Sequence, residues 1–151
     1  MSVNTLPSEI RARLGTSARP VAEDMFTYRA HAENLGAGGV QTFGLQVEAD
    51  SYFVITKMSY MASIGGNIQT ASTRVLPLVR CLITDTGSGR ALMSEPVDIT
   101  ALAGSEGLPF LTPAARWILP NSSVNIQFIS YAAAQVYSDV SLYLHGKKVW
   151  F

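Results

Sequence analysis

The sequence predicts an all-β fold, a jelly-roll-like antiparallel β-sandwich with a partly helical or extended N-terminal arm. Three observations lead there. From Gln41 onward apolar and polar residues alternate: Val124, Ile126 and Phe128 fall on one side of 123–131, Asn125 and Gln127 on the other. Residues 136–145 repeat this, with Val136, Val140, Leu142 and Leu144 opposite Tyr137, Asp139, Ser141, Tyr143 and His145. A period of two assigns such residues to the dry and wet faces of a strand. Turn residues also punctuate the chain often enough to give about eight short strands, which favours a sandwich or jelly roll over a parallel α/β fold. Finally, 151 residues that are 48% apolar and 15% charged suffice for one buried core without staples.

In chain order, residues 1–40 read as an arm and linker and 41–151 as the sandwich. Leu6, Ile10 and Leu14 stand four apart, with Ser8 able to cap and Gly15 able to stop a two-turn helix. So short a helix needs a surface to dock on. Residues 16–20 read as extended linker, 21–34 fit either a helical turn or a strand, and 35–39 (Leu-Gly-Ala-Gly-Gly) read as a joint. An arm of this kind either folds back on its own domain or reaches a neighbour.

The first strands carry Phe43, Leu45 and Val47, then Tyr52, Val54, Met58 and Tyr60 alternating with Phe53, Ile55, Lys57 and Ser59. A turn at 64–67 and a polar loop at 69–74 follow. Residues 76–85 are apolar on both faces, as in a central strand. Short segments at 91–97, 108–111 and 116–119 are separated by Pro96, Pro109, Pro113 and Pro120, and proline belongs at strand ends and edges because it cannot donate to the ladder. Residues 98–102 allow one helical turn.

Composition narrows the function. Eleven basic and eleven acidic residues cancel, which argues against a surface built for nucleic-acid phosphates. The single Cys81 forms no internal disulfide and suits a small buried hydrophobe. The N-terminus lacks a signal-peptide layout and no apolar run approaches a membrane span, so a soluble product made in the cytoplasm is expected. Low charge with many Ser, Thr, Ala and Gly suits a surface partly covered by neighbouring subunits.

Few side chains point to chemistry. Asp85-Thr86-Gly87-Ser88 resembles the active-site loop of aspartic proteases, in which two such loops bring two carboxylates together to share a proton. The plainer reading is a hairpin turn at 85–90, where Asp opens the turn and Gly87 and Gly89 supply its unusual backbone angles. Metal-binding cupins resemble a two-His-plus-Glu cluster, but His31 and His145 lack that spacing, and a zinc site needs more than one cysteine. Asp85, Glu95 and Asp98 are the remaining cation candidates, more simply read as solvated acids near turns. No P-loop is present. No catalytic residue, metal or cofactor is therefore expected. Trp150 and Phe151 end the chain as two large rings that must dock in the core or in a neighbour, each worth roughly 2–3 kcal/mol by area.

From Leu76 the run Leu-Pro-Leu-Val-Arg-Cys-Leu-Ile-Thr-Asp-Thr-Gly-Ser-Gly-Arg, then Leu92…Glu95-Pro96-Val97, Leu108-Pro109-Phe110-Leu111, Leu119-Pro120-Asn121-Ser122 and Tyr143-Leu144-His145-Gly146, resembles small virion proteins of tailed bacteriophages. The nearest type is the jelly-roll cement or decoration protein. That resemblance implies a protein made in the host cytoplasm and carried on the capsid exterior. There it would bridge capsomers of the major capsid protein and self-associate as a homodimer or homotrimer, with no nucleic acid, membrane or small-molecule substrate as partner. The residues expected to touch capsid or sister subunits are Leu6, Ile10, Arg11, Arg13, Leu14, Arg19, Trp150 and Phe151. The alternatives are another jelly-roll virion part (neck, tail or head fibre), a retroviral-type protease dimer using Asp85, or a carbohydrate-binding sandwich presenting Tyr131, Tyr137 and Tyr143.

Overall fold

Strand alternation in the sequence becomes two antiparallel sheets in the computed structural model, which describes residues 22–66, 70–105 and 108–150. The first sheet contains β1 (Ala22–Leu35), β3 (Ser51–Ser63), β7 (Phe110–Ile118) and β9 (Tyr137–Trp150), in the order β1-β9-β3-β7. The second contains β2 (Val40–Gln46), β4 (Val79–Asp85), β5 (Arg90–Ala91) and β8 (Ser123–Ser130), in the order β2-β8-β4-β5, with β6 (Val97–Asp98) also on β4. The pairs β1–β9, β2–β8, β3–β7 and β4–β5 are nested one inside the next. A long antiparallel ribbon rolled over a barrel gives this nesting, the double-sheet jelly roll.

The strands form because their inward residues share one core. Val124, Ile126 and Phe128 of β8, Cys81 and Ile83 of β4, and Val140, Leu142 and Leu144 of β9 are fully buried and meet Phe53 and Ile55 of β3. Large β-branched and aromatic side chains filling such a layer are the main stabilising term. Ile99 in the short helix α1 (Ile99–Leu102) plugs the same core, at the turn expected there.

The sheet also extends into the stretch expected to be arm and linker. The stretch 21–34, open between helix and strand in the sequence, is strand from Ala22 on, and β1 runs through Leu35 of the expected joint, in register with nearly the whole of β9. The glycines at 36–39 make the β1–β2 turn, closed by a Gly39 N–H to Gly36 C=O bond of 2.9 Å, with Gly38 at φ 69°. The two-turn helix expected around Leu6, Ile10 and Leu14 lies outside the described residues.

Three local features escape simple alternation. Asn34, at φ 52°, turns the end of β1 so that Leu35 enters the core. Asparagine tolerates this left-handed backbone better than most residues. Opposite Leu35, Tyr137 turns inward as well and is buried, which corrects its expected place on the polar face. In β3 the register shifts between Ile55 and Lys57, so the inward set passes from Phe53 and Ile55 to Met58 and Tyr60. A bulge changes which parity faces the core. The same irregularity joins the two segments expected at 108–111 and 116–119 into one strand. Thr112–Ala115 loop out beside Thr56, and Pro113 sits on an edge strand where its missing donor costs nothing.

Candidate functional site

An apolar rim lies at the start of β7, the edge strand of the first sheet. Leu108, Phe110 and Leu111 follow one another around Pro109, and Leu108 and Leu111 are 74% and 73% exposed. Across the Ser105–Leu108 bridge lies a shallow pocket of about 250 Å³ lined by Tyr60, Met61, Ala62, Val75, Leu76 and Ser105, with Arg74 at its margin. Leu76, on one wall, is itself 77% exposed. Gly104 makes this approach possible: a Cβ there would stand 2.0 Å from the Leu108 carbonyl oxygen. Clustered large apolar side chains left in water mark an interaction surface more than scattered ones do.

At the other end of β7, Arg116 crosses to the hairpin of the second sheet. Its Nη2 donates to Asp85 Oδ2 at 2.8 Å and to Ser88 Oγ at 2.9 Å. Ser88 Oγ donates to Asp85 Oδ2 and the Gly87 N–H to Asp85 Oδ1 at 3.0 Å. The Asp85 side chain is only 3% exposed. This carboxylate opens a turn and closes an ion pair within its own chain. The hairpin expected at 85–90 is present, with Asp85 opposite Arg90. Asp98 sits at the other end of β4, opposite Arg80, so the acids considered for a cation stand apart. Among the described residues no three His, Cys, Asp or Glu side chains gather to hold a metal.

The outer face of the first sheet carries a hydroxyl-rich network. His145 contacts Thr27 Oγ1 through Nδ1 at 3.0 Å and Ser59 Oγ through Nε2 at 2.7 Å, and its ring stacks with Tyr143 at 6.1 Å. Burial, and then the charge of Lys57, hold the His145 pKa below its ordinary value. Beside it, Arg29 donates to Ser141 and Asp139 at 3.0 and 3.1 Å. Ser59 with His145 superficially suggests a nucleophile and base. However, Ser59 is buried in mid-strand, and Thr27 stands where an orienting carboxylate would be needed.

Lys148 is a charged residue on the same face of β9 as the core residues Val140, Leu142 and Leu144. It points inward at the end of β9 with a side chain 6% exposed, its ammonium 4.5 Å from the Phe26 ring centroid and 5.7 Å from those of Tyr28 and Trp150. Glu48 closes the cage as its ion-pair partner and accepts from the Tyr28 hydroxyl at 2.9 Å. The hydrogen bond from Lys148 holds the Glu48 carboxyl below its usual value, while burial pushes Tyr28 upward. Cation–π attraction is strongest where water is excluded, as it is here.

Of the residues expected to contact neighbours, Trp150 alone is described. It is half-buried at the end of β9, opposite Ala22 and Ser51, and packs near Lys148 rather than in the core. Leu6, Ile10, Arg11, Arg13, Leu14, Arg19 and Phe151 lie outside the described residues. Tyr137 is buried, its hydroxyl accepting from the Leu78 N–H at 2.8 Å, so it is no open stacking platform, whereas Tyr131 stays exposed with the Arg80 guanidinium over its ring. Sequence reasoning passed over the rim at 108–111, although two leucines and a phenylalanine around an edge proline were its visible signal. No protein-family model matches the chain, and a search of curated proteins finds no similar one.

Proposed function

We propose that this protein is a structural virion component that binds the outer surface of a tailed-phage capsid and cements neighbouring capsomers of the major capsid protein. The observation that carries the reading is the apolar rim of Leu108, Phe110 and Leu111 with Leu76 beside it, set on a two-sheet body. The sequence resemblance to phage virion proteins supports it. So does the internal pairing of Asp85, Arg116, His145, Lys148 and Glu48, which uses these groups to brace the sandwich. A rigid brick with a greasy rim binds each capsomer weakly, and repetition over a shell converts weak contacts into avidity.

Purified protein mixed with expanded capsids that lack it should co-sediment with them and restore their heat resistance. A Leu108→Glu, Leu111→Glu variant should stay folded and lose binding. If the wild type fails to bind and virions without it keep normal heat resistance, the reading is wrong. Binding confined to isolated necks or tails would instead assign it to those parts of the particle.

A further inference from the structure

Strand β3 is left open over one short stretch, at the pocket beside the apolar rim. On one side of it Gly104 crosses parallel to Ser59: the Gly104 N–H donates to the Met58 C=O at 3.2 Å, and the Tyr60 N–H to the Gly104 C=O at 2.9 Å. On the other side Arg74 crosses antiparallel to Ser63: the Val75 N–H donates to the Ala62 C=O at 3.0 Å, and the Ile64 N–H to the Thr73 C=O at 2.9 Å. The N–H and C=O of one strand residue point to the same side. The Tyr60 C=O and the Ala62 N–H therefore turn away from β9, into the gap between the two crossings. Among the described residues neither has a hydrogen-bond partner.

The sequence explains the opening. Continued past Val75, the register of Arg74 on Ser63 brings residue 77 to Tyr60, and Pro77 has no N–H to give. The pocket of about 250 Å³ occupies the gap, with Met61 and Leu76 among its lining residues. An acceptor and a donor on either side of Met61 are the complement of a single extended residue running parallel to β3: its N–H meets the first and its C=O the second. A carboxamide fits a different pattern, because it bonds both groups of one residue, as Gln41 does at Glu33. Apart from Arg74, which already has a partner, the lining is uncharged, so a charged ligand gains nothing there.

We propose that this gap takes an extended apolar segment of a partner protein. One residue of that segment pairs parallel to β3 at Met61, donating to the Tyr60 C=O and accepting from the Ala62 N–H. Its side chain falls on the face of Met61, where the exposed Leu76 supplies an apolar wall. The proposal deepens the virion reading and rests on it for the source of the segment, the major capsid protein; the pairing itself is a property of the free chain.

Amide exchange and NMR titration of the full chain test it. In the free protein the Ala62 amide should exchange faster than those of Met61 and Ser63, whose main-chain groups face β9. A capped Ser-Phe-Ser peptide, a soluble probe with one apolar residue, should shift the Ala62 resonance and slow its exchange. The same peptide methylated on the phenylalanine nitrogen should bind about tenfold more weakly, because the Tyr60 C=O then has no donor. Leu76→Glu should weaken binding of the unmethylated peptide and leave Ala62 exchange in the free protein unchanged. An Ala62 amide protected before any peptide is added, whether by the chain itself or by a second copy, overturns the inference. Equal binding of the two peptides, or no response at Ala62, overturns it as well. No capsid enters these measurements, so a capsid that fails to bind counts against the virion reading alone.

Discussion

Arg116 Nη2 lies 2.8 Å from Asp85 Oδ2 and so ties the edge strand of one sheet to the hairpin of the other. Removing either partner leaves a charge in a place built for two. Arg116→Ala should cost about 2–4 kcal/mol in urea unfolding, less than a fully buried pair because the guanidinium is partly solvated. Asp85→Asn should also lower the midpoint. An aspartic protease would lose activity with that substitution and keep its stability, so the unfolding curve separates the two readings.

Close approach sets a second expectation. Gly146 lies opposite the β3 bulge, and a Cβ there would stand 1.6 Å from the Val54 carbonyl oxygen. Backbone cannot yield as a flexible side chain does. Gly146→Ala should destabilise by roughly 2–3 kcal/mol or prevent folding, while Gly36→Ala, which meets nothing within 4 Å, should change the thermal midpoint little.

Lys148 tests what the aromatic cage contributes. Lys148→Met keeps the stem over Phe26 and returns Glu48, more than half exposed, to water. Stability should stay within about 1 kcal/mol of wild type, because a well-packed apolar replacement of a buried ion often costs little. Lys148→Glu sets two carboxylates against each other and should unfold the protein at neutral pH.

The pH dependence has a definite sign at His145. Its folded pKa lies below the ordinary 6.5, so between the two values the unfolded chain binds more protons. Stability should be fully present above about pH 6.5 and fall as the pH drops toward the folded value. In His145→Gln the slope across that window should flatten, which urea titrations at successive pH values would reveal.

Cys81 supplies a probe of opening. Burial pushes its thiol up to about 12, and its side chain is wholly inside the core. Iodoacetamide at mildly alkaline pH should leave the native protein unmodified and label it in urea, as mass spectrometry would show. Rapid native labelling would mean that β4 opens readily.

Much of the sandwich was legible because inward residues obey a period of two wherever strands are regular: Val124, Ile126 and Phe128, or Val140, Leu142 and Leu144, are buried as alternation requires. The failures sit where backbone geometry changes parity. Asn34 turns Leu35 inward, Tyr137 opposite it lies inward too, the bulge at Thr56 exchanges the faces of β3, and none of these is encoded in hydrophobicity. Strand β1 was ambiguous because Phe26 and Tyr28, which should mark its inner side, are only half-buried beside a polar outer row. Lys148 was hidden for a different reason: its burial depends on Phe26, Tyr28 and Glu48, all distant in sequence. The apolar rim at 108–111 was in plain view but read as strand punctuation, since exposure is a property of the edge and not of the residues.

Electron microscopy of intact virions at a resolution that shows side chains addresses the central claim most directly. The account predicts jelly-roll density on the outside of the shell at capsomer boundaries, with Leu108, Phe110 and Leu111 pressed against the major capsid protein. Density for this chain confined to the neck or tail, or on the shell with that rim facing solvent, would contradict it.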